Sequence, residues 1–247
     1  MNPMQTAAPI AMIRAREGSV TGREPLFTDP YAALFQDGAQ EVIELFLRIP
    51  FFEEHVRLRT RYIDDAVRRA LDAGVRDLVL VGAGFDCRGL RMDEIASAGA
   101  RVIEVDHALQ LEEKRRRLAA ANVSIPPHVI HAPADLAVPG ELERALCAAG
   151  APERVRALWV CEGLLGYLAR DEIRALAEAI ARLSAPGARL VANYSTTAWS
   201  SEILDRVFAA AGFRSVETPA FDALYRTHIG PEPPPGSEPF ALLEAVL

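Results

Sequence analysis

The sequence predicts an α/β fold: a mostly parallel seven-stranded sheet with helices on both faces, preceded by a helical N-terminal cap. Three observations predict it. Strand-like and helix-like patterns alternate from Asp77 onward, the order that builds parallel sheets. The strand-like segments are short, apolar and rich in β-branched residues, as strands buried on both faces need to be. Ahead of Arg76 the pattern is helical, with little strand signal.

Taken in order, residues 1–75 form the cap, carried by "FTDPYAALF" (27–35) and the long helical stretch over 41–74. Residues 76–247 form the core. Its strands are "DLVLVG" (77–82), "RVIEVD" (101–106), "HVIHAP" (128–133), "RALWVCEG" (156–163) and "ARLVANYS" (188–195), then a weaker "RSVETPA" (214–220) and a final "PFALLEAVL" (239–247). Helices fill the gaps at 107–122, 141–150, 169–187 and 200–213; the third ends in the Gly and Pro expected past a helix terminus. "HIGPEPPPGSEP" (228–239) is too rich in proline and glycine to be anything but an irregular loop. A chain of 247 residues, half hydrophobic and a quarter charged, suits one compact unit of cap plus core.

Composition narrows the function. A net charge of −7 opposes a nucleic-acid partner, which needs a basic face for its phosphates. The basic run "EEKRRR" (112–117) has acidic neighbours at helical spacing and reads as a solvated helix face. Cys87, Cys147 and Cys161 are too few and scattered for a disulfide framework or a zinc site, so a cytoplasmic protein without a metal is expected. "AAPIAMIRARE" (7–17) is too short to span a bilayer and lacks a basic region before its apolar part, so no membrane partner is expected.

The stretch "LVLVGAGFDCRGLRM" (78–92) carries the chemistry. In open parallel sheets a ligand lies past the carboxyl ends of the strands where strand order reverses, and this turn follows the first strand. Gly82 and Gly84 let the backbone approach a ligand without a Cβ in the way. A dinucleotide fingerprint wants a third glycine at the position of Cys87. Asp86 stands where a diphosphate would bind; it repels phosphate and tolerates a sulfonium. The second strand ends in Glu104 and Asp106, and a carboxylate there can accept from both hydroxyls of a ribose.

Four motifs, "RTRYIDDAV" (59–67), "VGAGFDCRGLRM" (81–92), "IEVDHALQLEEKRRRL" (103–118) and "VCEGLLGYLARDEIRALAEAIARLSAPGARLV" (160–191), resemble in order and spacing those of the leucine carboxyl methyltransferase-like family. The likeness runs from about Pro25 to Ser195 and is specific because the four agree. It implies a Rossmann-like class I methyltransferase fold and S-adenosyl-L-methionine as cofactor. Carried over residue by residue, it implies that Arg61 pairs with the carboxylate of the cofactor's methionine part, its plain alternative being an ion pair with Asp64 or Asp65. Gly82, with Ala83 and Gly84, would line the methionine and ribose. Asp106 would hold the ribose hydroxyls beside Glu104 and His107. Asp135 and Leu136 would meet the adenine, although Asp135 alone reads equally as a helix cap. Glu162, followed by Gly163, would meet the cofactor's ammonium, since a glutamate in apolar surroundings is costly unless paired. Tyr167 corresponds to a residue facing the acceptor.

Cys87 replaces the family's usual threonine, Gly166 stands where a larger residue is common, and beyond Ser195 the chain diverges. The activity implied is methyl transfer to a hydroxyl or carboxyl oxygen of a small, polyketide-like acceptor, with a protein C-terminal carboxylate as a variant. An ionised carboxylate needs no base, whereas a phenol with a pKa near 10 benefits from one. His55, His107, His131 and His228 are the candidates; His228, in the divergent tail, is the one expected to face the acceptor. An NAD-dependent oxidoreductase or a non-catalytic binding module are the competing readings.

Overall fold

The computed structural model describes residues 3–36 and 40–247. Among these, seven strands form one sheet in the order β3-β2-β1-β4-β5-β7-β6. They are β1 (Asp77–Val81), β2 (Arg101–Asp106), β3 (Val129–Pro133), β4 (Ala157–Cys161), β5 (Arg189–Ser195), β6 (Arg214–Val216) and β7 (Phe240–Val246). β1 to β5 run parallel; β7 is antiparallel to both β5 and β6. β1 lies between β2 and β4, so strand order reverses at β1 and a crevice opens past its carboxyl end.

Strand alternation sorts the core into two faces. Val79, Val81, Ile103, Val105, Trp159 and Leu190 pack on one side with Leu142 and Leu146 of α7 (Glu141–Ala148), Ile173 and Ile180 of α8 (Arg170–Leu183) and Leu204 and Phe208 of α9 (Ser201–Ala210). Leu78, Leu80, Val102, Leu158, Val160 and Val191 face the other way, against Ile63, Ala66, Val67 and Ala70 of α3 (Phe52–Asp72). The last cap helix therefore covers the sheet directly. α1 (Pro3–Glu17), the 3-10 turn Ala32–Phe35 and α2 (Gln40–Phe46) pack beyond it around Ile13, Phe35, Ile43, Val56 and Phe85. The buried indole of Trp159 donates to Ser184 Oγ at 2.9 Å, so the polar atom taken into this core is satisfied.

Four local features depart from the sequence reading. Two short helices, α4 (Arg88–Arg91) and α5 (Asp93–Ser97), follow the glycine turn, and neither is announced by an apolar period of its own. The weak strand shrinks to the exposed edge strand β6, and the residues after Ala220 form α10 (Phe221–His228) instead. α10 buries Phe221 and Leu224 in a cluster with Phe51 and Leu58, a partnership that only the tertiary fold supplies. Finally, Lys114 on α6 (Ala108–Ala120) is not on a solvated face: it is fully buried, bonded to the Asp86 carbonyl and to Glu104 Oε2 at 2.6 Å.

Candidate functional site

A cavity of about 580 Å³ lies at the carboxyl ends of β1, β2 and β4. Its floor is the glycine turn. Gly82 has φ +70° and a Cβ there would come within 3.0 Å of Leu164 Cδ1, so a side chain is disfavoured by the backbone and forces Leu164 to shift. The amides of Gly82 and Ala83 both donate to the Val105 carbonyl, and the Gly84 amide donates to Asp106 Oδ2 at 2.6 Å. The turn is thereby tied to the end of β2.

Asp106 lines the cavity, with Oδ1 accepting from the His107 amide at 2.6 Å. Burial raises its pKa against the opposing pull of the two amides. His107 is the N-cap of α6, its Nδ1 accepting from the Leu109 amide. Asp135 and Leu136 line the next part of the wall; Asp135 Oδ1 accepts from the Ala137 amide at 3.0 Å within a turn, not at a helix end as the sequence alternative had it, since α7 starts at Glu141 with Gly140 as its N-cap. Gly163 and Tyr167 also line the cavity. The Gly163 amide is held by Asn193 Oδ1 at 2.7 Å.

An ionic lattice is built into this wall through Arg14, Arg59, Asp86 and Glu162 and continues behind it. Glu162 Oε1 accepts from Arg59 Nε at 3.0 Å and Oε2 from Arg88 Nη1 at 2.6 Å. Arg88, with one per cent of its side chain exposed, also bonds Asp64, Asp86 and the Thr60 carbonyl. Burial pushes the pKa of Glu162 up, but Arg88 and then Arg59 outweigh it and hold the carboxyl well below its usual range. Asp86 behaves alike: burial raises it, Arg88 lowers it further. Arg14 of α1 reaches the same region, bonded to the Phe85 carbonyl and paired with Asp29 at 3.2 Å. Buried His55 completes the set, its Nε2 3.2 Å from Arg59 Nη1 and 3.4 Å from Asn193 Nδ2. Both neighbours are donors, so Nε2 accepts; burial first, then Arg59, holds the imidazole pKa well below 6.5.

Several sequence expectations need correction here. Arg61 does not line the cavity: its Nε donates to Asp65 Oδ2 at 2.8 Å and its Nη1 to the Leu26 carbonyl. Arg59 and Arg14 are the cavity's arginines. Two residues turn a helix by about 200°, so Arg61 faces away from the side that Arg59 shares with buried His55 and Ile63. Helical phase was the signal that separates them. Glu104 is likewise not at the cavity; it is fully buried between Lys114 and His131 Nε2, the latter at 3.2 Å. His228 also lies away from the cavity, at the end of α10, where burial and then the charge of Arg61 lower its pKa. Glu162 is already paired within the protein, and the charge of Asp86 is met by Arg88, so Asp86 alone does not set the charge of the turn. Cys87 is buried outside the cavity lining, its thiol pushed up to about 12, chiefly by burial.

The sequence pattern of leucine carboxyl methyltransferase matches residues 7–181, which spans the cavity's walls from α1 to α8. The chain belongs to the leucine carboxyl methyltransferase family. Among relatives, a Frankia alni protein named as an S-adenosyl-L-methionine-dependent methyltransferase is 36% identical over 92% of this chain and 79% of its own length. A Mycobacterium tuberculosis protein of the same name is 36% identical over 69% of this chain, which spans 57% of the relative's length. In fold, the chain is similar to a protein of Thermobifida fusca described as a methyltransferase (TM-score 0.62, 18% identity, 97% of this chain and 93% of that one). It is also similar to the magnesium protoporphyrin IX methyltransferase of Synechocystis, solved with S-adenosylmethionine bound (TM-score 0.51, 17% identity, 96% of each chain).

This leucine carboxyl methyltransferase family member is thus an S-adenosyl-L-methionine-dependent methyltransferase of the class I fold. Its cavity fits that cofactor: at Gly82 the backbone comes close without a Cβ, a carboxylate ends β2, and the guanidinium groups of Arg14 and Arg59 line the recess. Among the described residues no group of three His, Cys, Asp or Glu is arranged to hold a metal ion, and no helix is long and apolar enough to cross a membrane.

Proposed function

We propose that this methyltransferase transfers its methyl group to an oxygen, hydroxyl or carboxyl, of a small-molecule acceptor. The observation that carries the reading is the cavity itself: a recess of about 580 Å³ whose lining includes Phe46, Phe52, Tyr167 and Leu168, apolar surface that suits a small molecule beside the cofactor. S-adenosylmethionine, when bound, supplies an electrophilic methyl group on a sulfonium. The protein's share is positioning, since in-line displacement depends on alignment at near-attack distance.

In this reading Arg59, oriented by Glu162 and His55, pairs with the methionine carboxylate together with Arg14. Asp106 accepts from the ribose hydroxyls through lone pairs its two amide bonds leave free. Asp135 and Leu136 meet the adenine, Gly82, Ala83, Gly84 and Gly163 bring backbone close, and Tyr167 faces the acceptor. Calorimetric titration with S-adenosylmethionine, S-adenosylhomocysteine and NAD tests the pocket, and S-adenosylhomocysteine release across phenols, carboxylic acids and amines tests the acceptor atom. Release with amines alone would overturn the oxygen reading.

A further inference from the structure

We propose that His55, paired with Asn193, is the positioning residue that turns the Arg59 guanidinium toward the methionine tail of the cofactor; this rests on the reading that Arg59 pairs with that tail's carboxylate. Left to itself, an arginine beside a glutamate closes a two-bond fork with it and keeps little for a ligand. Here that fork does not form. Glu162 takes Arg59 through Nε, while its other oxygen is held by Arg88 Nη1 at 2.6 Å. Arg59 Nη1 lies 3.2 Å from His55 Nε2 instead. With two nitrogens engaged, the guanidinium is fixed over Gly163: a Cβ there would stand 3.4 Å from Nη2 and 3.9 Å from both Cζ and Nη1. Gly163 lines the cavity, so Nη2 is held at its wall.

His55 can do this only as an acceptor, and Asn193 on β5 makes it one. Asn193 Oδ1 accepts from the Gly163 amide at 2.7 Å, which turns its Nδ2 toward His55 Nε2 at 3.4 Å. Nε2 therefore meets two donors, so the imidazole is neutral and carries its proton on Nδ1. Arg59, Gly163, Asn193 and His55 close a ring of contacts that runs from α3 to the turn after β4, to β5 and back.

The other nitrogen shows that packing alone does not account for a histidine. Nδ1 is buried without a hydrogen-bond partner among the described residues. Its ring is stacked on Phe240 with centroids 4.1 Å apart and T-shaped to Phe221 at 4.7 Å. An apolar side chain would fill this space without leaving a donor unpaired, and so without the desolvation cost that histidine carries here. What an apolar side chain cannot supply is the acceptor for Arg59.

The test titrates the whole protein calorimetrically with S-adenosylhomocysteine and with 5′-methylthioadenosine, which has the adenosine and the sulfur without the amino-acid tail. His55→Leu and His55→Met, near imidazole in volume but without an acceptor, should each weaken S-adenosylhomocysteine about tenfold and methylthioadenosine less than about twofold. His55→Gln, whose Oε1 accepts, should bring S-adenosylhomocysteine back to within about threefold of the wild type. In an Arg59→Ala background, His55→Leu should cost nothing more, because the effect passes through Arg59. Equal weakening of both ligands, no weakening, no rescue by glutamine, or a further loss without Arg59 would each overturn the inference while leaving Arg59 in its role. Arg59→Ala weakening neither ligand, or both alike, would overturn the carboxylate reading itself, and a wild type that binds no S-adenosylhomocysteine would overturn both.

Discussion

Arg59 Nε donates to Glu162 Oε1 across 3.0 Å, joining the middle of α3 to the end of β4 at the wall of the cavity. The bond ties a cap helix to the end of a central strand, between residues 103 positions apart. Arg59→Ala is expected to weaken S-adenosylmethionine binding by about 1–3 kcal/mol, the loss of a charge-assisted contact. Arg61→Ala, which removes a half-exposed pair with Asp65, should change it by less than about 0.5 kcal/mol. Calorimetric Kd values for the two variants check both, and equal losses would show that the cofactor's carboxylate is not held by Arg59.

His55 makes stability pH-dependent in a definite direction. Its folded pKa is depressed by burial and by Arg59, so below the unfolded value of about 6.5 the unfolded chain gains a proton that the folded chain refuses. Stability is therefore complete above about pH 6.5 and falls below it, by up to about 1.4 kcal/mol per pH unit from this group. Urea unfolding between pH 7.5 and 5.5 should show that decline in the wild type and a shallower one in His55→Gln.

Lys114 and Glu104 are both fully buried and bonded at 2.6 Å. Lys114→Met leaves a buried carboxylate beside His131 without its cation and should cost about 3–5 kcal/mol. Lys114→Met/Glu104→Gln should recover part of the loss, read as a coupling energy in a double-mutant cycle by urea denaturation.

Gly82→Ala tests the floor of the site. A side chain at φ +70°, pressed to 3.0 Å from Leu164 Cδ1, should destabilise the fold by about 1–3 kcal/mol and weaken cofactor binding through displacement of Leu164. Thermal unfolding and S-adenosylhomocysteine affinity measure the two effects separately.

The sequence by itself determined the α/β class, the five parallel strands, the glycine turn that lines the cavity and the family. Each of these is written in short-range patterns: apolar runs of strand length, glycines at a strand end, and motifs at characteristic spacing. It also marked Asp106, Asp135, Leu136, Glu162 and Tyr167, all of which line the cavity, because they sit at or just after strand ends and a parallel sheet brings its strand ends together. What only the tertiary structure decided is partnership. Which face of α3 meets the sheet decides that Arg59 rather than Arg61 lines the cavity, Lys114 is buried against Glu104, and α10 packs on Phe51 and Leu58. A charged side chain's role depends on which opposite charge it meets, and the Lys114–Glu104 and Arg59–Glu162 pairs join residues 10 and 103 positions apart. Local pattern carries no record of such distances.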